Sequence, residues 1–156
     1  MADWLTHSLV GWMTGKTSKQ EIALLVVGSL IPDLVKINLA FTWLGINDQQ
    51  FFNLLHTPVG TFLVAGIIAL FFPDIKKALI PLGIGVSTHL ILDFFLVHTH
   101  GGMKLLFPFS WDGWQIYVYR SDDYLITVIA VLAAMLVYTA SWYYEKRKNS
   151  HHPLKK

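Results

Sequence analysis

Apolar residues along this 156-residue chain fall into long runs separated by short polar punctuation. The first run, residues 2–14, reads as a helix of about 20 Å at 1.5 Å per residue, too short for a bilayer core of about 30 Å. Gly15 and Lys16 end it, and Ser18 followed by Glu21 has the spacing of a capping box that starts a second helix. That helix runs to about Leu44, with a break expected at Pro32-Asp33, because proline removes a helical hydrogen bond. A second span covers roughly 50–72 and stops at Pro73-Asp74; a third covers 78–98, after Lys76 and Lys77. A polar, aromatic loop over 99–123 precedes a last run, 124–144, that contains no charge and leads into Glu145-Lys146-Arg147-Lys148. The pattern predicts an all-α integral membrane protein of four transmembrane helices plus a short N-terminal half-helix. It divides into one domain over 1–145 and a basic tail over 146–156.

Composition agrees with that class. The chain is 54% hydrophobic and 14% charged, against about 45–50% and roughly 25% in soluble proteins. The net charge of +2 gives no footing for nucleic acid, and most of it comes from the tail. The absence of cysteine excludes disulfides, thiolate catalysis and Cys-zinc sites. Asp3 and the lack of a basic stretch before the first apolar run argue against a cleaved signal peptide.

Basic residues near span ends set the expected orientation. With four spans, Lys16 and Lys19, Lys76 and Lys77, and Lys146, Arg147 and Lys148 fall on one side. The opposite loops carry only Lys104 and Arg120 against Asp48, Asp112, Asp122 and Asp123. A multi-pass protein of the cytoplasmic membrane with a cytoplasmic C-terminus is the expectation. Tyr124, Tyr138, Trp142, Tyr143 and Tyr144 suit an interfacial belt on the last span.

Five ionisable residues interrupt the apolar runs: His7, Asp33, His56, His89 and Asp93. Each such residue at bilayer depth costs several kcal/mol, roughly 2.5–3.5 on insertion scales, and all five are types that bind divalent metal. At about 1.5 Å per residue their heights cluster in the middle to outer half of the bilayer. His89 and Asp93 stand at i and i+4, on one helical face. That spacing serves a shared ion and an intrahelical hydrogen bond equally well. Imidazole and carboxylate suit zinc, or with more oxygen donors manganese or iron.

The ordered set Asp3-Trp4-Leu5-Thr6-His7, Gly28-Ser29-Leu30-Ile31-Pro32-Asp33, His56-Thr57, His89-Leu90-Ile91-Leu92-Asp93 and Thr99-His100-Gly101-Gly102 through Ser110 resembles the YdjM-like family of membrane-bound, metal-dependent hydrolases. The likeness covers residues 1–112. The chain departs from it in two places. Val35, followed by Lys36, stands where the family commonly has a second acid, and Asn53-Leu54-Leu55 precedes His56 where it often has His-Arg. More distantly, the order of ligands is similar to that of the helical zinc-dependent phospholipases C and single-strand nucleases. The resemblance implies that Asp33, His56, His89 and Asp93 hold a metal with help from His7, and that an activated water attacks phosphorus. It also implies that Asp33 or Asp93 takes the proton, and that the substrate is a lipid or lipid-like phosphoester.

Most of the remaining candidates carry more than one reading. His98 and His100 are wet polar tips or additional ligands. Lys36 pairs with Asp33, snorkels to the interface or binds phosphate; Lys104 and Arg120 are loop cations or hold an anionic head group. His151 and His152 belong to a solvated tail that favours anionic lipid. The chain has no H-E-x-x-H, no G-x-S-x-G and no Walker loop. A small metal-ion or proton transporter, assembled as a homo-oligomer, is the alternative use of the same His and Asp residues.

Overall fold

Pro32 decides how the first long apolar run folds. In the computed structural model, which describes residues 4–18, 20–45, 53–97, 102–120 and 124–151, helix α2 (Ile22–Leu30) stops just before it. The chain continues as a 3-10 stretch, Ile31–Ile37, and then as α3 (Asn38–Trp43). Together they make a 22-residue apolar run, Ile22–Trp43, long enough to cross a membrane. The expected break therefore forms as a tightened seven-residue segment with Asp33 inside it.

Helix α1 (Trp4–Ser18) precedes it and runs further than its sequence signals suggest. Gly15 does not end the helix, because its missing side chain lets α1 press against Ile22 of α2. The capping box does not form either. Ser18 Oγ donates back to Thr14 O at 2.6 Å, and the N-cap of α2 is Glu21, whose side chain makes no capping bond.

The second expected span is the main correction. Residue 57 is extended (φ −89°, ψ 154°), since the residue before a proline is pushed out of the helical region. Helix α4 (Pro58–Ala69) starts afresh there, with Thr57 Oγ1 accepting from Gly60 N at 3.1 Å. Its 12 residues reach about 18 Å, short of the core thickness. Among the described residues, three helices are each long and apolar enough to cross, Ile22–Trp43, Ile75–Phe94 and Tyr124–Lys148, and Pro58–Ala69 is a shorter apolar helix.

Helix α5 (Ile75–Phe94) begins where the Asp74 carboxylate accepts from Lys77 N at 3.1 Å. Lys76 and Lys77 thus sit in its first turn, not ahead of it. The helix ends four residues before the expected limit, and Leu96–Val97 (β1) pairs in parallel with Tyr119–Arg120 (β2). The 102–120 loop folds back over this end: Ile116 N donates to Phe94 O at 2.8 Å, and Met103 is buried against Ile31, Leu82, Val86 and Leu90. Helix α6 (Tyr124–His151) continues through Lys146, Arg147 and Lys148, so residue 145 marks a change of composition and not of structure. Cations are favoured at a helix C-terminus by the aligned peptide dipoles.

α2 lies between α1 and α5, α4 packs on α5, and α6 packs on α1. The α2–α5 crossing is very close: a Cβ on Gly28 would overlap the Leu82 carbonyl, and one on Gly85 would overlap Leu25 O. Small residues at such crossings let helix backbones approach where no hydrophobic force separates helix from lipid. α1 and α6 run in the same direction, since Thr6 meets Thr127 at 3.1 Å and Lys16 meets Glu145 at 3.3 Å. This fold is that of an all-α membrane protein.

Candidate metal centre

The packing of α1, α2 and α5 brings all five interrupting residues to one place. His7 comes from α1, Asp33 from the 3-10 stretch, His56 from the turn before α4, and His89 and Asp93 from α5. His7, Asp33, His89 and Asp93 are buried, while the His56 side chain keeps 13% exposure.

Asp93 is the hub. His7 Nε2 stands 3.3 Å from Asp93 Oδ1, and His56 Nε2 and His89 Nε2 stand 3.1 and 3.3 Å from Oδ2. The rings are tightly arranged: His7 and His89 stack at 3.6 Å with 13° between planes, and His56 meets His89 edge-on at 5.6 Å. Asp33 joins His7 and His89 in a second triad, so two groups of potential ligand atoms, each within 4.8 Å, share His89.

Backbone carbonyls fix which nitrogen of two rings faces the cluster. His89 Nδ1 is 2.6 Å from Ser29 O, and His56 Nδ1 is 3.1 Å from Pro32 O. A carbonyl oxygen only accepts, so Nδ1 carries the proton and donates. In the neutral ring that leaves a lone pair on Nε2, aimed at the carboxylate. Metal-binding histidines are oriented in this way, by a hydrogen bond from the other ring nitrogen. For these two rings, lone pairs facing Asp93 Oδ2 at 3.1 and 3.3 Å repel unless a cation lies among them. Tetrahedral zinc, with bonds of 2.0–2.1 Å, sets its ligand atoms about 3.3 Å apart. The donor set and its spacing thus fit a zinc-class ion. Two stacked imidazolium rings would repel, so three separate protons match the cluster less well. Among the described residues, His7 Nδ1 and His89 Nε2 are buried and accept or donate no hydrogen bond, which suits atoms that ligate an ion.

Both carbonyls come from the broken run. There the helical pattern changes to 3-10, and each carbonyl reaches a histidine of another element. The sequence carried a sign of this in Gly28-Ser29-Leu30-Ile31-Pro32-Asp33, but periodicity speaks of side chains and not of freed carbonyls.

Lys36 is at the edge of the cluster, 2.8 Å from Asp33 Oδ1, with its ammonium 5.5 Å from the Trp4 ring centre. The pairing expectation holds. Lys104 is half-buried in the 102–120 loop and Arg120 is exposed on β2. His98 and His100 lie outside the described residues. Tyr119, which sequence reasoning passed over, donates to Leu92 O at 2.7 Å beside the last turn of α5. Burial, reinforced by the nearby Asp93 charge, pushes its hydroxyl up to about 12, so it remains a donor throughout the ordinary pH range.

No curated protein and no solved structure is significantly similar to the chain. The model of the YdjM inner membrane protein family matches residues 3–151, nearly the whole length, and the chain belongs to that family.

Proposed function

We propose that this protein is a metal-dependent hydrolase that cleaves a phosphoester bond of a lipid or lipid-like substrate within the membrane. One observation carries the reading: imidazoles from three separate elements direct Nε2 at one buried carboxylate, at ligand-to-ligand spacing. His56, His89 and Asp93 hold a divalent ion, most simply zinc, and His7 and Asp33 adjoin it as the second triad that shares His89. Zinc, when bound, lowers the pKa of water to near 7 and polarises a phosphoryl oxygen. Asp33 takes the proton of the attacking water as the new P–O bond forms, and gives it to the departing oxygen as the ester P–O bond breaks. Lys36 steadies the phosphate as a point charge. The side of the cluster at which His56 and Lys36 keep 13% and 27% exposure is the side from which substrate enters.

Purified protein supplied with zinc should release phosphate or a phosphorylated head group from mixed lipid micelles, and His89→Ala should not. Metal or proton flux in sealed vesicles without turnover on any lipid would replace the enzyme by a transporter.

The same reading puts the C-terminus in the cytoplasm, since Lys146, Arg147 and Lys148 follow the last span and Glu145 meets Lys16, at the basic end of α1, on the same side. Because the chain has no native cysteine, a cysteine at Asn149 is a clean reporter. It should resist an impermeant thiol reagent added to intact cells and react once they are opened. Labelling from outside would reverse the orientation.

A further inference from the structure

We infer that the seam between α1 and α6 binds one anionic membrane lipid, with an acyl chain in an apolar groove and the phosphate at the basic end of α6. The groove, about 510 Å³, is lined by Leu9 and Trp12 of α1 and by Val131, Ala134, Met135 and Tyr138 of α6. A second recess of about 250 Å³ lies further along α6, between Trp142, Tyr143, Lys146 and Arg147.

The two belong to one surface. Val131, Met135, Tyr138, Trp142 and Lys146 follow one another at steps of three or four residues, which places them in a single stripe along the helix. Fifteen residues from Val131 to Lys146 span about 22 Å, close to half of a bilayer of about 40–45 Å including head groups. The stripe is therefore one leaflet long, apolar over its inner part, aromatic near the interface and cationic at its end.

Charge selects the occupant. Lys146 sits over the Trp142 ring at 5.1 Å and Arg147 over Tyr143 at 4.7 Å. Both are held against rigid aromatic faces, in reach of a head group. Among the described residues, Glu145 is the carboxylate on this stretch of α6, and Lys16 meets it at 3.3 Å. Lys146 and Arg147, both lining the recess, give it a positive field that favours a phosphodiester anion. A second copy of the chain would bring the same cations to the same place and be repelled. His7 faces α2 and α5 while Leu9 and Trp12 face α6, so this lipid lies outside the metal cluster.

Native mass spectrometry of the full chain, released from detergent with phosphatidylglycerol or phosphatidylcholine of matched acyl chains, tests the assignment. One phosphatidylglycerol per chain should be retained about tenfold better than phosphatidylcholine. Lys146→Gln with Arg147→Gln should remove that preference. Met135→Trp fills the groove from an exposed position and leaves the charge unchanged; it should displace the lipid while circular dichroism shows the helices intact. Equal retention of the two lipids overturns the proposal. So does a preference that responds to the charge change but not to Met135→Trp, which would reduce it to a basic tail attracting anionic lipid.

Discussion

Asp93→Asn is expected to remove divalent metal from the protein while leaving its helices in place. Wild-type protein purified in detergent should carry about one zinc-class ion per chain, and the variant should bind it at least 100-fold more weakly. That exceeds the 10–100-fold loss typical of residues that merely orient a ligand, because Asp93 is met by three imidazoles at 3.1–3.3 Å. Asparagine has nearly the shape of aspartate, and its amide N–H groups donate to the same Nε2 lone pairs. The variant should therefore pack normally without metal. Elemental analysis after equilibration in a metal buffer, with circular dichroism alongside, measures both properties. An Asp93→Asn protein that keeps a full complement of metal would dismiss the cluster as the binding site. Wild type that binds none would make it a proton-holding cluster instead.

Gly85→Ala should be strongly destabilising although alanine is the better helix former. The substitution gains up to about 1 kcal/mol in helix propensity. Against this, the new methyl overlaps Leu25 O and stands 2.7 Å from Ser29 N, so α2 must move away from α5. Overpacking of this kind costs about 1–3 kcal/mol and sometimes more. The shift also pulls Ser29 O from His89 Nδ1, so loss of metal should accompany loss of thermal stability. Gly83→Ala is the control: there the methyl meets only Phe62 Cε1, at 3.6 Å, an ordinary contact. Thermal melts in detergent should separate the two variants by many degrees. Equal melting would mean that the close crossing does not hold the bundle together.

Much of the candidate site was visible as an interruption of hydropathy. His7, Asp33, His56, His89 and Asp93 stand out because charge in an apolar run is costly, and the structure gathers all five. Pro32 announced the broken helix for an equally simple steric reason. The second span was expected as one helix because residues 50–72 are mostly apolar and carry no Asp, Glu, Lys or Arg. The break comes from a backbone rule at Thr57-Pro58, and hydropathy is blind to it. Gly15 and the Ser18–Glu21 spacing misled in the other direction. Both are sound local signals for a helix boundary, and the contact of α1 with α2 overrides them. The roles of Ser29 and Pro32 were out of reach because they act through carbonyl oxygens, which every residue has.

That last point has a bearing on how the family can vary. The histidine rings are steadied by main-chain atoms, so side-chain replacement at position 29 leaves the oxygen that holds His89 untouched, provided the newcomer is small. Mutational tolerance should thus be displaced: permissive at Ser29, whose carbonyl touches the ring, and strict at Gly28 and Gly85, which touch no histidine but set where that carbonyl points. A saturation scan would then map the support of His89 as two intolerant positions with no chemistry of their own.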